Sequence, residues 1–243
     1  MSFESFENAY KKGFLLTNIN QNLELFKKDL TKESFCLEKQ GQNFFFYQKG
    51  ILYYFINESK KFTLKPCYTK VFGKNELSFL KHENFLKQND FVCEKTFIQM
   101  SLKNHNLKPI NFDFIEFAKI TDAKELYEFF STFFDPKYLF YFSIKDLEIN
   151  HQKILLYKEE NKICGALIYS LSLNTAFLEF IAVKTKLRYK NVAFALLNHY
   201  FLSNKKIPYF KLFVDENNLK AISFYKRANF DFNVLKLKFY RNF

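Results

Sequence analysis

The chain has 243 residues with 48% hydrophobic and 21% aromatic content, enough to bury the cores of two domains and too apolar for a disordered polypeptide. Its net charge of +12 is spread out: the first 105 residues hold 16 Lys and Arg against 11 Asp and Glu, the remainder 21 against 14, so no basic arm exists and no nucleic-acid partner is expected. Cys36, Cys67, Cys93 and Cys164 lie far apart with no C-x-x-C pair, which points to reduced thiols rather than disulfides or a metal site. The acidic start, without an apolar leader or an apolar run long enough to span a bilayer, gives a cytoplasmic address by default.

In chain order, helical spacing of Leu23, Leu25, Phe26 and Leu30 predicts a helix between Phe3 and about Thr31. Asn43 to Tyr47 and Ile51 to Ile56 are aromatic, apolar runs around Gln48-Lys49-Gly50, a hairpin signal in which Gly50 supplies the positive φ of a tight turn. Glu76 to Leu86 reads as helix. Phe91 to Cys93 and Thr96 to Met100 read as strands. Polar Ser101 to Pro109 is the best linker candidate, which divides the chain into an N-terminal α/β domain over 1–105 and a second domain over 106–243.

After the linker, Asn111 to Ile120 alternates as a strand, and Thr121-Asp122-Ala123 opens a helix with Thr121 as cap and Asp122 at the positive pole. Pro136 interrupts it, and a second helical stretch runs to about Leu147. Ile154 to Tyr157, Ile163 to Tyr169 and Phe177 to Val183 form a three-stranded meander. Val192, Leu196, Leu197 and Tyr200 then share a helix face, Tyr209 to Val214 is a strand, Asn218 to Arg227 a helix and Asp231 to Phe239 a last strand.

Between the strand ending at Val183 and the helix opening at Asn191 lies a turn with Lys184, Lys186, Arg188 and Lys190. A strand feeding through a basic turn into a helix suits a phosphate, because the first helical N–H groups lack intrahelical partners and carry the positive end of the dipole. Arg188-Tyr189-Lys190-Asn191-Val192-Ala193 resembles the R/Q-x-x-G-x-G/A pyrophosphate loop of the GNAT acyl-CoA N-acyltransferase superfamily. Asn218-Leu219-Lys220-Ala221, Tyr225 and Asn229-Phe230 resemble that family's N-x-x-A-x-x-x-Y-x-x-x-G-F tail, in the family's order. Asn replaces glycine at 191 and 229, and Asn is the residue besides Gly that best tolerates φ > 0.

The resemblance implies an α/β (α+β) fold with a mixed, mainly antiparallel sheet flanked by helices and a smaller N-terminal α/β domain. It implies acetyl-CoA as acyl donor, held in a gap between the strands ending at Val183 and Val214, with an amine acceptor attacking the thioester directly. Arg188, Lys190, Asn191, Val192 and Ala193 would hold the diphosphate and Asn218 the pantetheine arm; a backbone N–H near Ile181 or Val183 would meet the oxyanion. Tyr225 would be the general acid, or a core tyrosine packed beside Ile222. Glu179, the one carboxylate in its apolar strand, would be the base, or a strand glutamate facing solvent or a lysine. His199 reads as structural.

The chain also partly repeats itself: Phe85 to Phe91 lies beside Phe224 to Phe230, with Leu86 where the tyrosine stands. A first half of that kind lacks the basic turn and would bind no cofactor. Rival readings are a non-catalytic binding module and an acyltransferase using a longer acyl-CoA or an acyl carrier protein; the acceptor and a homodimer are left open.

Overall fold

The computed structural model describes residues 3–31, 34–105, 107–135, 143–185 and 187–243. Pro136, Lys186 and Asn106 of the expectations above lie outside them. The chain forms two compact units, one of residues 1–99, 214–224 and 232–243, the other of 100–213 and 225–231.

In the first unit, the single helix expected up to Thr31 is instead two, α1 (Phe3–Lys12) and α2 (Leu23–Thr31), separated by the short strand β1 (Leu16–Thr17). Gly13, at φ 95°, ends α1 because only glycine takes that backbone without strain. Phe6, Phe26 and Leu30 dock these helices on Phe44, Phe46 and Phe55. Phe6 sits edge-on to all three rings at 4.4 to 5.4 Å, and each such buried side chain contributes about 1.5–3 kcal/mol.

The sheet of this unit runs β2 (Cys36–Gln40), β3 (Asn43–Gln48), β4 (Ile51–Ile56), β5 (Tyr68–Gly73), β12 (Asp231–Arg241), β6 (Val92–Lys103). The β3–β4 hairpin forms as expected, with Lys49 at φ 50° and Gly50 at φ 75°. Helix α3 (Glu76–Gln88) buries Phe79, Phe85 and Leu86 against Tyr54, Ile56 and Val71. A Cβ at Gly73 would lie 2.6 Å from the Phe79 ring, so glycine lets α3 reach the sheet. The last strand of the chain pairs with β5, from Lys236↔Gly73 to Arg241↔Tyr68, within the unit built mainly from the first 99 residues.

Two strands expected between Phe91 and Met100 are one, and β6 continues through Lys103, so the stretch read as linker begins as strand. Asn104 is tied down as well: its N–H donates to Pro208 O and its side-chain amide to Lys205 O and Ile207 O.

The second unit orders its strands β11 (Tyr209–Asp215), β10 (Thr175–Val183), β9 (Lys162–Ser172), β8 (Ile154–Glu159), β7 (Glu116–Phe117). The expected strand over Asn111 to Ile120 shrinks to β7, because a turn closed by Ile115 N–H to Phe112 O precedes it. Thr121 is not a cap: a 3-10 turn over Ile120–Asp122 leads into α4 (Ala123–Ser131), and Asp122 accepts from Lys119 N–H and pairs with Lys158 at 2.9 Å. Helices α4 and α5 (Ile144–Ile149) cover one face through Leu126, Phe129, Phe130 and Leu147 on Ile154, Leu156, Ala166 and Ile168. Helix α6 (Val192–Ser203) packs where Gly165 of β9 leaves room; a Cβ there would come within 3.0 Å of Val192 and 3.4 Å of Leu196. Across both units, no described helix is long and apolar enough to cross a membrane.

Candidate functional site

Strands β10 and β11 run parallel from Thr175↔Tyr209 to Leu178↔Leu212, and their register stops there. Strand β10 continues beside β9 as far as Val183↔Gly165, with a bulge between Leu178 and Phe180. Glu179 is therefore the extra residue of the bulge, at the point where β10 leaves the parallel ladder; bulges of this kind re-aim a side chain. Its carboxylate is half-buried and accepts 2.6 Å from Ser170 Oγ. Ile181 and Val183 follow on the same strand, both half-buried.

Beyond Val183, Lys184 N–H donates to Cys164 O, and Arg188, Tyr189, Lys190 and Asn191 stand exposed. Tyr189 stacks on Phe114 at 4.9 Å and 12° between planes, which gives the turn an aromatic base. Asn191 takes φ 64°, the left-handed backbone anticipated from its place in the motif, and Asn229 takes φ 65°. Because no side chain caps α6, the amides of its first turn, at buried Val192 and half-buried Ala193, are not used in side-chain capping. Together with Arg188 and Lys190 they make a pole suited to an anion.

One carboxylate sits at this pole. Glu159 Oε1 accepts from Arg188 N–H at 2.7 Å and from Tyr157 Oη at 2.6 Å, and these two bonds hold its carboxyl below the usual carboxylate range. Burial pushes the Tyr157 phenol up to about 12, with the Glu159 bond adding to it.

Tyr225 lies in the last turn of α7 (Leu219–Arg227) and is 6% exposed. Burial raises its phenol well above the ordinary tyrosine value, so it is a proton donor rather than a phenolate at neutral pH. Its carbonyl accepts the N–H groups of Ala228 and Phe230, and the Phe230 ring meets it edge-on at 5.8 Å. Tyr200 of α6 is fully buried, and its hydroxyl has no hydrogen-bond partner among the described residues. Burial lifts its phenol, and the charges of Glu179, Tyr169 and Tyr225 lift it further, which puts these four groups in one electrostatic neighbourhood.

The second unit thus holds Glu179, Ile181, Val183, Arg188, Lys190, Asn191, Val192, Ala193 and Tyr225. Asn218 belongs to the first unit, where its Oδ1 accepts Ala221 N–H at 3.0 Å and caps α7. The sequence missed Ser170, Glu159 and Tyr200; a tyrosine on the apolar face of the helix after the turn was the one available signal. His199 packs edge-on against Phe117 at 5.8 Å with Nδ1 enclosed and unbonded, and burial lowers its pKa.

The acetyltransferase (GNAT) family model matches residues 122–230. Among solved structures, a tandem GNAT protein from the clavulanic acid biosynthesis pathway superposes with a TM-score of 0.60 at 7% identity, over 98% of this chain and 93% of its own. An acetyltransferase of the GNAT family from Colwellia psychrerythraea gives 0.58 at 13% identity over 99% and 97%. A GCN5-related N-acetyltransferase from Sphaerobacter thermophilus gives 0.53 at 16% over 72% of this chain and 59% of its own. At these identities the likeness is one of fold. No curated protein sequence matches the chain.

Proposed function

We propose, from the match of residues 122–230 to the acetyltransferase (GNAT) family model, that the protein is an N-acetyltransferase moving an acetyl group from acetyl-CoA to a primary amine of a small molecule or protein. The observation that carries this reading is the ending of the β10–β11 ladder at Leu178 and Leu212, directly before the bulged Glu179 and one turn away from the uncapped N-terminus of α6. A strand edge released from its ladder can pair with an extended amide-bearing arm, while the α6 amides with Arg188 and Lys190 take the diphosphate.

The chemistry asked of the side chains is modest. The acceptor amine enters neutral, and Glu179, oriented by Ser170, takes the proton that the nitrogen sheds as its bond to carbon forms. The amine nitrogen bonds to the thioester carbonyl carbon, and a β10 N–H near Ile181 or Val183 meets the oxygen as it gains charge. The C–S bond then breaks, and Tyr225, kept protonated by burial, gives its proton to the departing thiolate. Incubation with acetyl-CoA and a panel of amines, read as free-thiol release, tests this; a panel of polyamine, amino-sugar and peptide amines that releases no thiol above background opposes it.

A second reading has its own support. The Arg188 amide is already engaged by Glu159 and the Asn218 side-chain Oδ1 by Ala221 N–H, both inside the protein, as in a module that has given up its cofactor. A thermal shift separates the two, since a ligand at a hundred times its Kd stabilises by about 2.7 kcal/mol. An acetyl-CoA shift favours the enzyme. A donor other than acetyl-CoA, a longer acyl-CoA or an acyl carrier protein, is distinguished by the same measurement with those thioesters.

A further inference from the structure

The two units are built to the same plan. In each, an antiparallel meander (β2-β3-β4; β8-β9-β10) ends in a strand that pairs in parallel with the next (β4 with β5; β10 with β11). The turns at 86–91 in the first unit and 225–230 in the second, which end α3 and α7, close alike. Leu86 O accepts Asn89 N–H at 3.0 Å and Phe91 N–H at 2.9 Å, Tyr225 O accepts Ala228 and Phe230 N–H at 3.0 Å each, and Asp90 and Asn229 are left-handed at φ 63° and 65°.

They differ in where the short strand goes. In the second unit β7 pairs with β8 at the outer edge, Glu116↔Leu156 and Phe117↔Leu155. In the first unit β1 pairs with β4, Leu16↔Ile56 and Thr17↔Phe55, and Leu15 N–H adds a 2.8 Å bond to Ile56 O. That is the stretch of β4 beyond its parallel ladder with β5, which covers Ile51↔Tyr68 and Leu52↔Thr69.

Asn18, 7% exposed, then bridges both strands where they part. Its Oδ1 accepts Tyr54 N–H at 2.8 Å; its Nδ2 lies 3.1 Å from Leu52 O on β4, and 2.9 and 3.2 Å from Thr69 Oγ1 and Lys70 O on β5. Residues 57–67, between β4 and β5, contain no helix, where the second unit places α6.

We propose that the first unit is a second copy of the donor-binding fold whose cleft is filled by its own segment Leu15–Asn18, with Asn18 as the latch, so that the chain takes a single acyl-CoA. The segment makes with β4 the strand pairing that an extended pantetheine arm would make with β10, and no helix N-terminus stands by to receive a diphosphate. This rests on the reading of the second unit as the donor site, and the test separates the two.

Calorimetry of the full chain with coenzyme A, run beside amide hydrogen exchange, supplies it. The expected result is one coenzyme A per chain, binding weakened by Arg188→Ala, and a slowly exchanging Tyr54 amide that coenzyme A does not change. Asn18→Ala is expected to speed Tyr54 exchange about tenfold or more while leaving coenzyme A affinity unchanged. Two equivalents per chain, or Tyr54 exchange altered by coenzyme A, overturns the closed cleft. No binding at all with a slow Tyr54 amide refutes the donor reading and upholds the closure; no binding with a fast Tyr54 amide overturns the closure too.

Discussion

Ser170 Oγ donates a 2.6 Å hydrogen bond to Glu179 Oε1 across β9 and β10, at the residue where β10 bulges. Glu179 is the residue of β10 that has no register partner on β9, between Leu178↔Tyr169 and Phe180↔Ile168. Glu179→Gln is expected to lower kcat by about 10²–10⁴-fold with coenzyme A affinity unchanged, as for loss of a general base. Ser170→Ala, which removes only the orienting bond, should cost about tenfold or less. Steady-state rates with calorimetry check both; a Gln variant at full rate removes Glu179 from the chemistry.

Arg188→Ala should weaken coenzyme A binding by roughly 1.5–3 kcal/mol, the worth of a charge-assisted contact. Calorimetry reads this directly, and unchanged affinity would move the diphosphate elsewhere.

The bond from Arg188 N–H to Glu159 has a pH signature. The Glu159 carboxyl is held below its ordinary value, so the bond is complete above the normal carboxylate range and is lost only as pH falls through the lowered pKa. The amide shift of Arg188 in NMR should hold steady from pH 8 to about 5 and titrate below that range. Glu159→Gln should abolish the titration.

Tyr54 and His82 predict acid sensitivity of the first unit. His82 Nδ1 lies 2.7 Å from the Tyr54 hydroxyl, and burial lowers its pKa to about 4. The unfolded chain binds a proton near its ordinary value while the folded chain does not, so stability falls as pH drops from about 6.5 to 4. For a half-buried ring the loss is on the order of 2 kcal/mol. Urea midpoints at pH 7 and pH 4.5 measure it, and His82→Gln should flatten the difference.

The strands of the meanders and the left-handed Asn191 and Asn229 were legible because aromatic alternation and backbone tolerance are local properties. Two kinds of feature were not. The two residues of β1 are too few to show a period, and the pairing of β12 with β5 joins residues more than 160 positions apart. At the basic turn, the left-handed Asn191 agrees with its place in the motif, whereas Glu159 reaches the turn only through the fold. Asn218 also caps α7, a local role that its place before a helix allows and that the motif does not mention.

Two buried phenols in the second unit should answer to opposite effect. Tyr225 and Tyr200 are both raised by burial, but the Tyr200 hydroxyl has no hydrogen-bond partner among the described residues. A buried unsatisfied hydroxyl carries a desolvation penalty, so Tyr200→Phe should leave the rate unchanged and stabilise the protein by about 1 kcal/mol. Tyr225→Phe keeps the ring that packs on Phe230, so its melting temperature should hold. If Tyr225 protonates the thiolate, kcat should fall by about a hundredfold or more while acetyl-CoA affinity stays the same, because the hydroxyl acts on charge that develops only as the C–S bond breaks. Rates, melting curves and binding on the two Phe variants side by side check this. Normal turnover by Tyr225→Phe on an acceptor that the parent protein uses would assign the proton to solvent and return Tyr225 to the core.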